Sequence, residues 1–390
     1  MITLKETAMA LSVAMMSFCS LHAATGDVSA GRIWLEASGV PGEEPLVNFP
    51  VMIRLREGER RFSHADFSDG NGEPDVTFAD EHGNVLTHEI EQWNVSGETV
   101  IWVKIPSLVN GMRIRMYSGG PVQDVDTTSI WSAYKGVWHL NEPAGATTFA
   151  NAQGYYMDGI DHGTTYAAGI AGPARRISDG AQNTADGHNI EIPNREEPGV
   201  GYVNQRVFND KSAHNAFSMW IKYPSDQTPG NDRLVCQQWQ DTDSMGWMVR
   251  LSGNSTQLVT SCGGNASASD SVFGNLCDGE WHHLVVVYDG TSRYIYTDGE
   301  LRARMTGVAQ IAGDWNWQPM GWGGYVIPDN NPVSFKGWMD ELRFAAGLYP
   351  APIEKDGGVY EAPQLVKAEY LNVKKGFFTL RYYGLTITVR

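Results

Sequence analysis

From residue 31 to about residue 118, apolar and polar positions alternate in short runs: "RIWLEA", "PVMIRLR", "DVTFAD", "VLTHEIEQW", "TVIWVKI" and "MRIRMYSG". Turn clusters such as "SDGNGEPD", "EHGN" and "NVSGE" separate them. Period-two alternation bounded by Gly, Asn and Asp predicts strands joined by hairpins, and no window holds a sustained helical stripe. The polar run "SGGPVQDVDTTS" then breaks the pattern and predicts a boundary near residues 118–134. A second series follows, with "FSMWIKYP", "RLVCQQWQ", "GWMVRLSG", "TQLVTSC", "WHHLVVVYDG", "RYIYTDGEL" and "FKGWMDELRFA". Seven or more short strands imply two packed sheets or a closed barrel. Only "PQLVKAEYL" predicts a helix, ahead of a last strand around "GFFTLRYYG".

With 390 residues the chain is too long for one ordinary core, so two domains are expected. Glycine (43), tryptophan (13) and tyrosine (16) are plentiful and charged residues make up 19%, the composition of turn-rich, aromatic sandwiches. A net charge of −16, spread along the chain, repels phosphate backbones and anionic lipid headgroups, which argues against nucleic acid as a partner.

Lys5, the apolar run over residues 8–21 and the small residues Ala23 and Ala24 read as a cleaved secretory signal over residues 1–24. No later segment approaches the length of a membrane helix, so the mature chain is expected outside the cytoplasm, in the periplasm, at the cell surface or beyond. The remaining cysteines are Cys236, Cys262 and Cys277. Cys262 with Cys277 closes the shorter loop, but three thiols leave one over and the sequence does not choose among the pairings.

In the second half, "DGEWHHLVVVYDGTSRYIYTDGELRAR" (residues 278–304) resembles the central hairpin of concanavalin A-like, laminin-G-like modules. "FSMWIKYP" upstream and "FKGWMDELRFAAG" downstream are similar to that family's other two signatures, in the same order. In the first half, residues 48–108 resemble a bacterial domain of unknown function, number 2341, that commonly precedes such a module in exported proteins. The expected organisation is therefore all-β: a small sandwich over 25–120, a linker over 121–135 and a jelly-roll sandwich over 136–390.

Two glutamates in "THEIEQWN", Glu89 and Glu91, lie two apart on a predicted strand, hence on one face and roughly 6 to 7 Å apart at Cα. Retaining glycosidases use carboxyls about 5 to 5.5 Å apart, so this geometry permits catalysis. The resemblance points elsewhere, because hydrolases of the concanavalin-like fold carry their acidic strand inside that sandwich. Leu86 and Ile90 on the other face suit a half-buried strand whose Thr87, Glu89 and Glu91 meet water. "DEL" over 340–342 places its two acids on opposite faces. The same reasoning gives the adjacent His282 and His283 structural roles.

Binding is the better expectation. In "GDWNWQPMGWGGY", Trp315 and Trp317, flanked by Asp314 and Asn316, offer rigid rings that stack on sugar faces at little entropic cost. Trp322 and Trp338 belong to strand signatures and are expected in the core. The resemblance also implies a structural calcium at Asp340, with carbonyls near Asn141 and Glu142, although Asn151 stands where relatives tend to have an aspartate. Together these features imply an exported, non-catalytic protein binding polysaccharide or glycoprotein. A structural or adhesive envelope protein that contacts another protein is the alternative, and a glycoside hydrolase using Glu89 and Glu91 the second.

Overall fold

Alternation in "LVNFPVMIRLR" sends Phe49, Val51, Ile53 and Leu55 to one side of a strand and Met52 and Arg54 to the other, and both sides find partners. The computed structural model describes residues 32–120, 126–154, 157–177, 188–193, 196–197, 201–202, 215–230, 232–237, 247–251, 258–262, 267–270, 275–306, 319–324 and 334–381. The first strands are β1 (Arg32–Ala37), β2 (Leu46–Arg56), β3 (Thr77–Asp80), β4 (Val85–Leu86), β5 (His88–Gln92), β6 (Glu98–Leu108) and β7 (Arg113–Tyr117). After a short 3-10 turn (Thr127–Trp131) come β8 (Gly136–Trp138), β9 (Thr148–Phe149), β10 (Gly159–His162), β11 (Thr165–Ala168), β12 (Pro173–Arg176), β13 (Asn189–Ile192), β14 (Glu196–Glu197) and β15 (Gly201–Tyr202). Next are β16 (Asn215–Lys222), β17 (Arg233–Gln237), β18 (Trp247–Leu251), β19 (Leu258–Cys262), β20 (Ser267–Asp270), β21 (Trp281–Tyr288), β22 (Ser292–Thr297), β23 (Glu300–Thr306) and β24 (Met320–Trp322). The described chain closes with β25 (Trp338–Ala346), β26 (Ile353–Lys355), β27 (Val359–Glu361), helix α1 (Gln364–Lys374) and β28 (Phe378–Arg381).

The all-β expectation agrees with these elements. In the first sandwich a sheet of order β28-β1-β7-β3-β4 packs on a sheet of order β2-β6-β5. Leu35, Val51, Ile53, Phe78, Ile101, Val103, Ile114 and Met116 fill the space between. The second sandwich has two eight-stranded sheets, β20-β19-β18-β17-β24-β13-β10-β9 and a sheet running β11-β12-β25-β16-β21-β22-β23 with β8 beside β25. Phe217, Met219, Leu284, Ile295 and Phe344 of one face Ile190, Val235, Val249 and Trp322 of the other. Trp322 is fully buried, as its strand signature implied. Trp338 departs from that expectation: it is only partly buried, because it shares a face with Asp340 rather than with the core residue Met339.

A third buried cluster joins the two sandwiches. Met52, Val100 and Trp102, on the outer face of β2 and β6, meet Trp131, Val137, Ala216, Trp220, Val285 and Tyr296. Two boundaries drawn from the sequence change here. The stretch expected as a linker supplies Ile130, Trp131 and Tyr134 to this cluster, since its "IWSAY" is apolar where its leading half is polar. The last strand, expected within the second module, pairs antiparallel with β1, Leu35 opposite Leu380, and so belongs to the first sheet.

Helix α1 is the reason the chain returns. Ala368 packs in the first core while Val366 and Val373 enter the shared cluster, so the helix is wedged between them. The Asn372 amide accepts from Met52 N at 3.0 Å and donates to Pro50 O at 2.9 Å, satisfying the free edge of β2 where Pro50 has no N–H to offer. Gly376, at φ 73°, ends the helix by donating back to Leu371 and Asn372 carbonyls, a left-handed cap that glycine adopts without strain.

Cys236 and Cys277 are buried free thiols, so the shorter-loop pairing of Cys277 is not formed; the Cys262 side chain lies outside the described residues, as does the expected signal segment.

Candidate functional site

Strand β5 pairs Glu89 with Trp102 and Ile90 with Ile101, then Gln92 with Val100, leaving Glu91 as the extra residue of a bulge. Both glutamates point into the junction between the sandwiches rather than to water, which corrects the solvated-face expectation. Trp102 Nε1 donates to Glu91 Oε2 at 2.6 Å, and Trp131 Nε1 donates to Glu89 Oε2 at 2.6 Å. The reason is the docking of the second sandwich on this face, which a single strand pattern does not reveal.

A second bulge brings the opposing charges. On β25 and β16, Arg343 pairs with Ser218 and Asp340 with Trp220, so Glu341 and Leu342 together oppose Met219. Glu341 takes a left-handed backbone, φ 52°. The extra residue defeats the alternation expected for "DEL": Leu342 stays in the sandwich core while Asp340 and Glu341 both face the junction. Non-glycine residues at positive φ persist where surrounding contacts over-determine them, and those contacts are plain here.

His139, just past β8, is the hub. Its Nδ1 lies 2.6 Å from Glu341 Oε1 and 3.8 Å from Glu91 Oε2, and its Nε2 lies 3.7 Å from Glu89 Oε2. The ring stacks on Trp102 at 5.9 Å and meets Trp131 edge-on at 5.1 Å. Arg343 donates to the other oxygen of Glu341 and lies 4.9 Å from the ring centres of both Trp102 and Trp131. Behind it, the hydroxyls of Tyr134 and Tyr349 donate to Glu369 of α1. Arg54 of β2 donates to the carbonyls of Ile170 and Val373, tying the first sandwich to the second and to the helix end.

The protonation states follow from burial and neighbours. Burial, then the charges of Glu341 and Asp340, drive the Glu91 carboxyl well above its ordinary range despite His139 and Trp102. Burial opposes charge on His139 too, but Glu341 and Glu91 outweigh it and hold the imidazole pKa well above normal. For Glu341 burial acts upward, and His139 with Arg343 bring the balance below the usual value. Asp340, buried beside Glu341, is pushed up to about 8. The arrangement is a buried His139–Glu341–Arg343 ion triad, and of the carboxyls around it burial favours the protonated form of Glu91.

Glu91, His139 and Glu341 present ligand atoms within 4.8 Å of one another. The 2.6 Å separation of His139 Nδ1 and Glu341 Oε1 is that of a charge-assisted hydrogen bond, shorter than two ligands on one ion at zinc distances. The groups named for calcium from the resemblance are engaged within the protein. Asp340 Oδ2 accepts from the Ile170 and Ala171 amides at 2.8 and 3.0 Å, and only Oδ1 is left. The Glu142 carbonyl accepts from the Arg175 guanidinium, and the Asn141 amide donates to Glu91 O. Calcium needs six to eight oxygens, and a cation already holds one of those named.

Asp314, Trp315, Asn316 and Trp317 lie outside the described residues. His282 and His283 fall on opposite faces, as expected: the first bonds to Asp298 and Asp278, the second, fully buried, to Ser218. Sequence reasoning missed His139 and Arg343, because nothing in "GVWHLNE" marks a histidine that acquires its partners only when two domains dock.

Residues 198–347 match the family described as the concanavalin A-like lectin/glucanases superfamily (Laminin_G_3), and residues 73–131 match the domain of unknown function DUF2341. No curated protein matches the chain. Among solved structures, domain 4 of AbnA, a GH43 extracellular arabinanase from Geobacillus stearothermophilus in complex with arabinotriose, aligns at 17% identity and TM-score 0.40, covering 61% of this chain and 97% of that one. The binding domain of botulinum neurotoxin DC in complex with rat synaptotagmin II aligns at 11% identity and TM-score 0.43, covering 63% of this chain but only 52% of that one. The chain thus carries a DUF2341 segment followed, in that order, by a concanavalin A-like domain of the laminin-G type.

Proposed function

We propose that this is an exported binding protein whose concanavalin A-like domain recognises polysaccharide or glycoprotein. The observation that carries the reading is the family match over 198–347, in a domain whose sequence holds the aromatic stretch around Trp315 and Trp317. The pair on which a glycosidase reading would rest supports it by its placement. The Glu91 side chain has no exposed surface and Glu89 is engaged by Trp131, so the two carboxyls serve the domain junction.

A glycan and polysaccharide array with residues 25–390, run in calcium and again in chelator, tests the proposal. Selective binding lost in Trp315→Ala/Trp317→Ala is the expected result. Because Asp340 is engaged by backbone amides, chelator is expected to leave the signal unchanged. A blank array, with a protein recovered at stoichiometric level from envelope extracts, overturns the proposal in favour of protein-mediated adhesion.

A further inference from the structure

Five neighbouring strands of the second sandwich hold one row of residues in register. Thr165 of β11 pairs with Arg176 of β12, Arg176 with Trp338 of β25, Trp338 with Lys222 of β16, and Lys222 with Trp281 of β21. Residues directly opposite across strands share a face. Here it is the face that carries Trp220 and Asp340, two positions further along, into the junction with the first sandwich. Along the row that cover gives out: Trp281 still packs against the junction cluster, Lys222 and Trp338 are partly exposed, and Arg176 and Thr165 are exposed.

Trp338 holds a cation on each side. The Arg176 guanidinium carbon lies 5.1 Å from the ring centre and the Lys222 ammonium 5.7 Å. Among the described residues no carboxylate comes within ion-pair distance of either cation. In a chain with 45 acidic and 29 basic side chains, two adjacent cations spared from pairing stand out. The indole restrains both long side chains before any ligand arrives, which reduces the rotamer entropy that binding an anion costs. Arg176 and Lys222 flank β25, so their Cα atoms are roughly 10 Å apart at two inter-strand spacings. That separation suits two acidic groups on one extended chain better than a single small anion. The net charge of −16 opposes any polyanion at long range, but within a Debye length of roughly 8 Å the local pair dominates.

We propose that Arg176, Trp338 and Lys222 bind successive carboxylate or sulfate groups of an acidic polysaccharide, and so make the ligand of this domain an anionic glycan. The inference rests on the glycan-binding reading above and narrows its ligand class.

Affinity electrophoresis of residues 25–390 through gels containing polygalacturonate, chondroitin sulfate or neutral dextran tests it, with phosphatidylglycerol vesicles in a parallel flotation assay. Retardation by an acidic polymer, falling at least tenfold in Arg176→Gln/Lys222→Gln and weakening between about 50 and 200 mM salt, is expected. Both positions reach solvent, so the double variant should keep the wild-type near-ultraviolet dichroism, and a single Trp338→Leu exchange should weaken binding without abolishing it. Equal retardation of wild type and double variant by the acidic polymers overturns the proposal, as does flotation with the vesicles through the same residues. Retardation by dextran alone removes the acidic ligand class and leaves glycan binding standing. No retardation by any polymer removes both.

Discussion

His139 Nδ1 stands 2.6 Å from Glu341 Oε1, joining the residue after β8 to a bulge in β25 beneath two carboxylates of the first sandwich. Each partner is buried, and each relies on the other to offset the loss of water. A buried ion pair contributes little net stability when intact but leaves a costly orphan when one side is removed.

Glu341→Gln is therefore expected to destabilise the protein by about 3–5 kcal/mol, since it leaves His139 and Arg343 without their counter-charge. Glu91→Gln is expected to stay within about 1 kcal/mol, because burial favours the uncharged form of the carboxyl it replaces and the new amide retains an acceptor for Trp102 Nε1. Urea unfolding of the two variants checks the contrast, and equal losses would show that Glu91 is charged in the fold.

Stability should fall as the pH rises above neutral. His139 binds its proton more tightly folded than its ordinary value of 6.5 allows, so its contribution is complete below 6.5 and is lost as pH climbs through the higher folded value. Glu91 and Asp340 act in the same sense, since the folded chain holds protons that the unfolded chain releases from 4.5 and 3.8 upward, and the Asp340 effect ends near 8. Glu341 works oppositely, losing its contribution as pH falls below 4.5. Calorimetric Tm values should peak in mildly acid buffer, and His139→Gln should flatten the alkaline side.

Removing residues 378–390 is expected to destabilise the first sandwich more than the second. The deletion bares the edge of β1 and takes Leu380 from the core between the first two sheets. Hydrogen exchange mapped by peptide should show loss of protection in β1 and β7 while β16 and β21 keep theirs.

Cys236 and Cys277 should resist alkylation at neutral pH. Burial pushes both thiols up to about 12, and Cys236 also donates to the Gly324 carbonyl, so the reactive thiolate is scarce and shielded. Peptide mapping after iodoacetamide treatment should find both unmodified in native protein and modified in denaturant.

Much of the fold was legible because it is local. Alternation located β2, β6, β16 and β21, the Gly and Asp turns placed the hairpins, and the segment read as a short helix is α1 with its ends shifted by a few residues. The junction was not legible, for two physical reasons. A bulge changes which face a side chain takes without changing composition, so Glu341 was assigned to the wrong face. The outer face of β2 and β6 reads as a partly polar surface, with Met52 and Trp102 beside Arg54 and Lys104, until the second sandwich covers it. Trp338 illustrates the converse: a tryptophan in a strand signature implies core, yet it lies on the face of β25 opposite the core residue Met339, with a cation on either side.

The pairing of β28 with β1 has a consequence for how the protein comes into being. During synthesis β1 emerges before the second sandwich and its outer partner after it, so the first sandwich cannot be finished before the second. Chains usually fold domain by domain from the N-terminus, and such long-range closure is slow because its loop entropy is lost before the contacts form. The second sandwich has all of its described strands between residues 136 and 346, and it can form while the first still waits with an open sheet edge. That interval is when this chain is most exposed to strand-mediated aggregation, and a chaperone or rapid docking of α1 would have its greatest effect there.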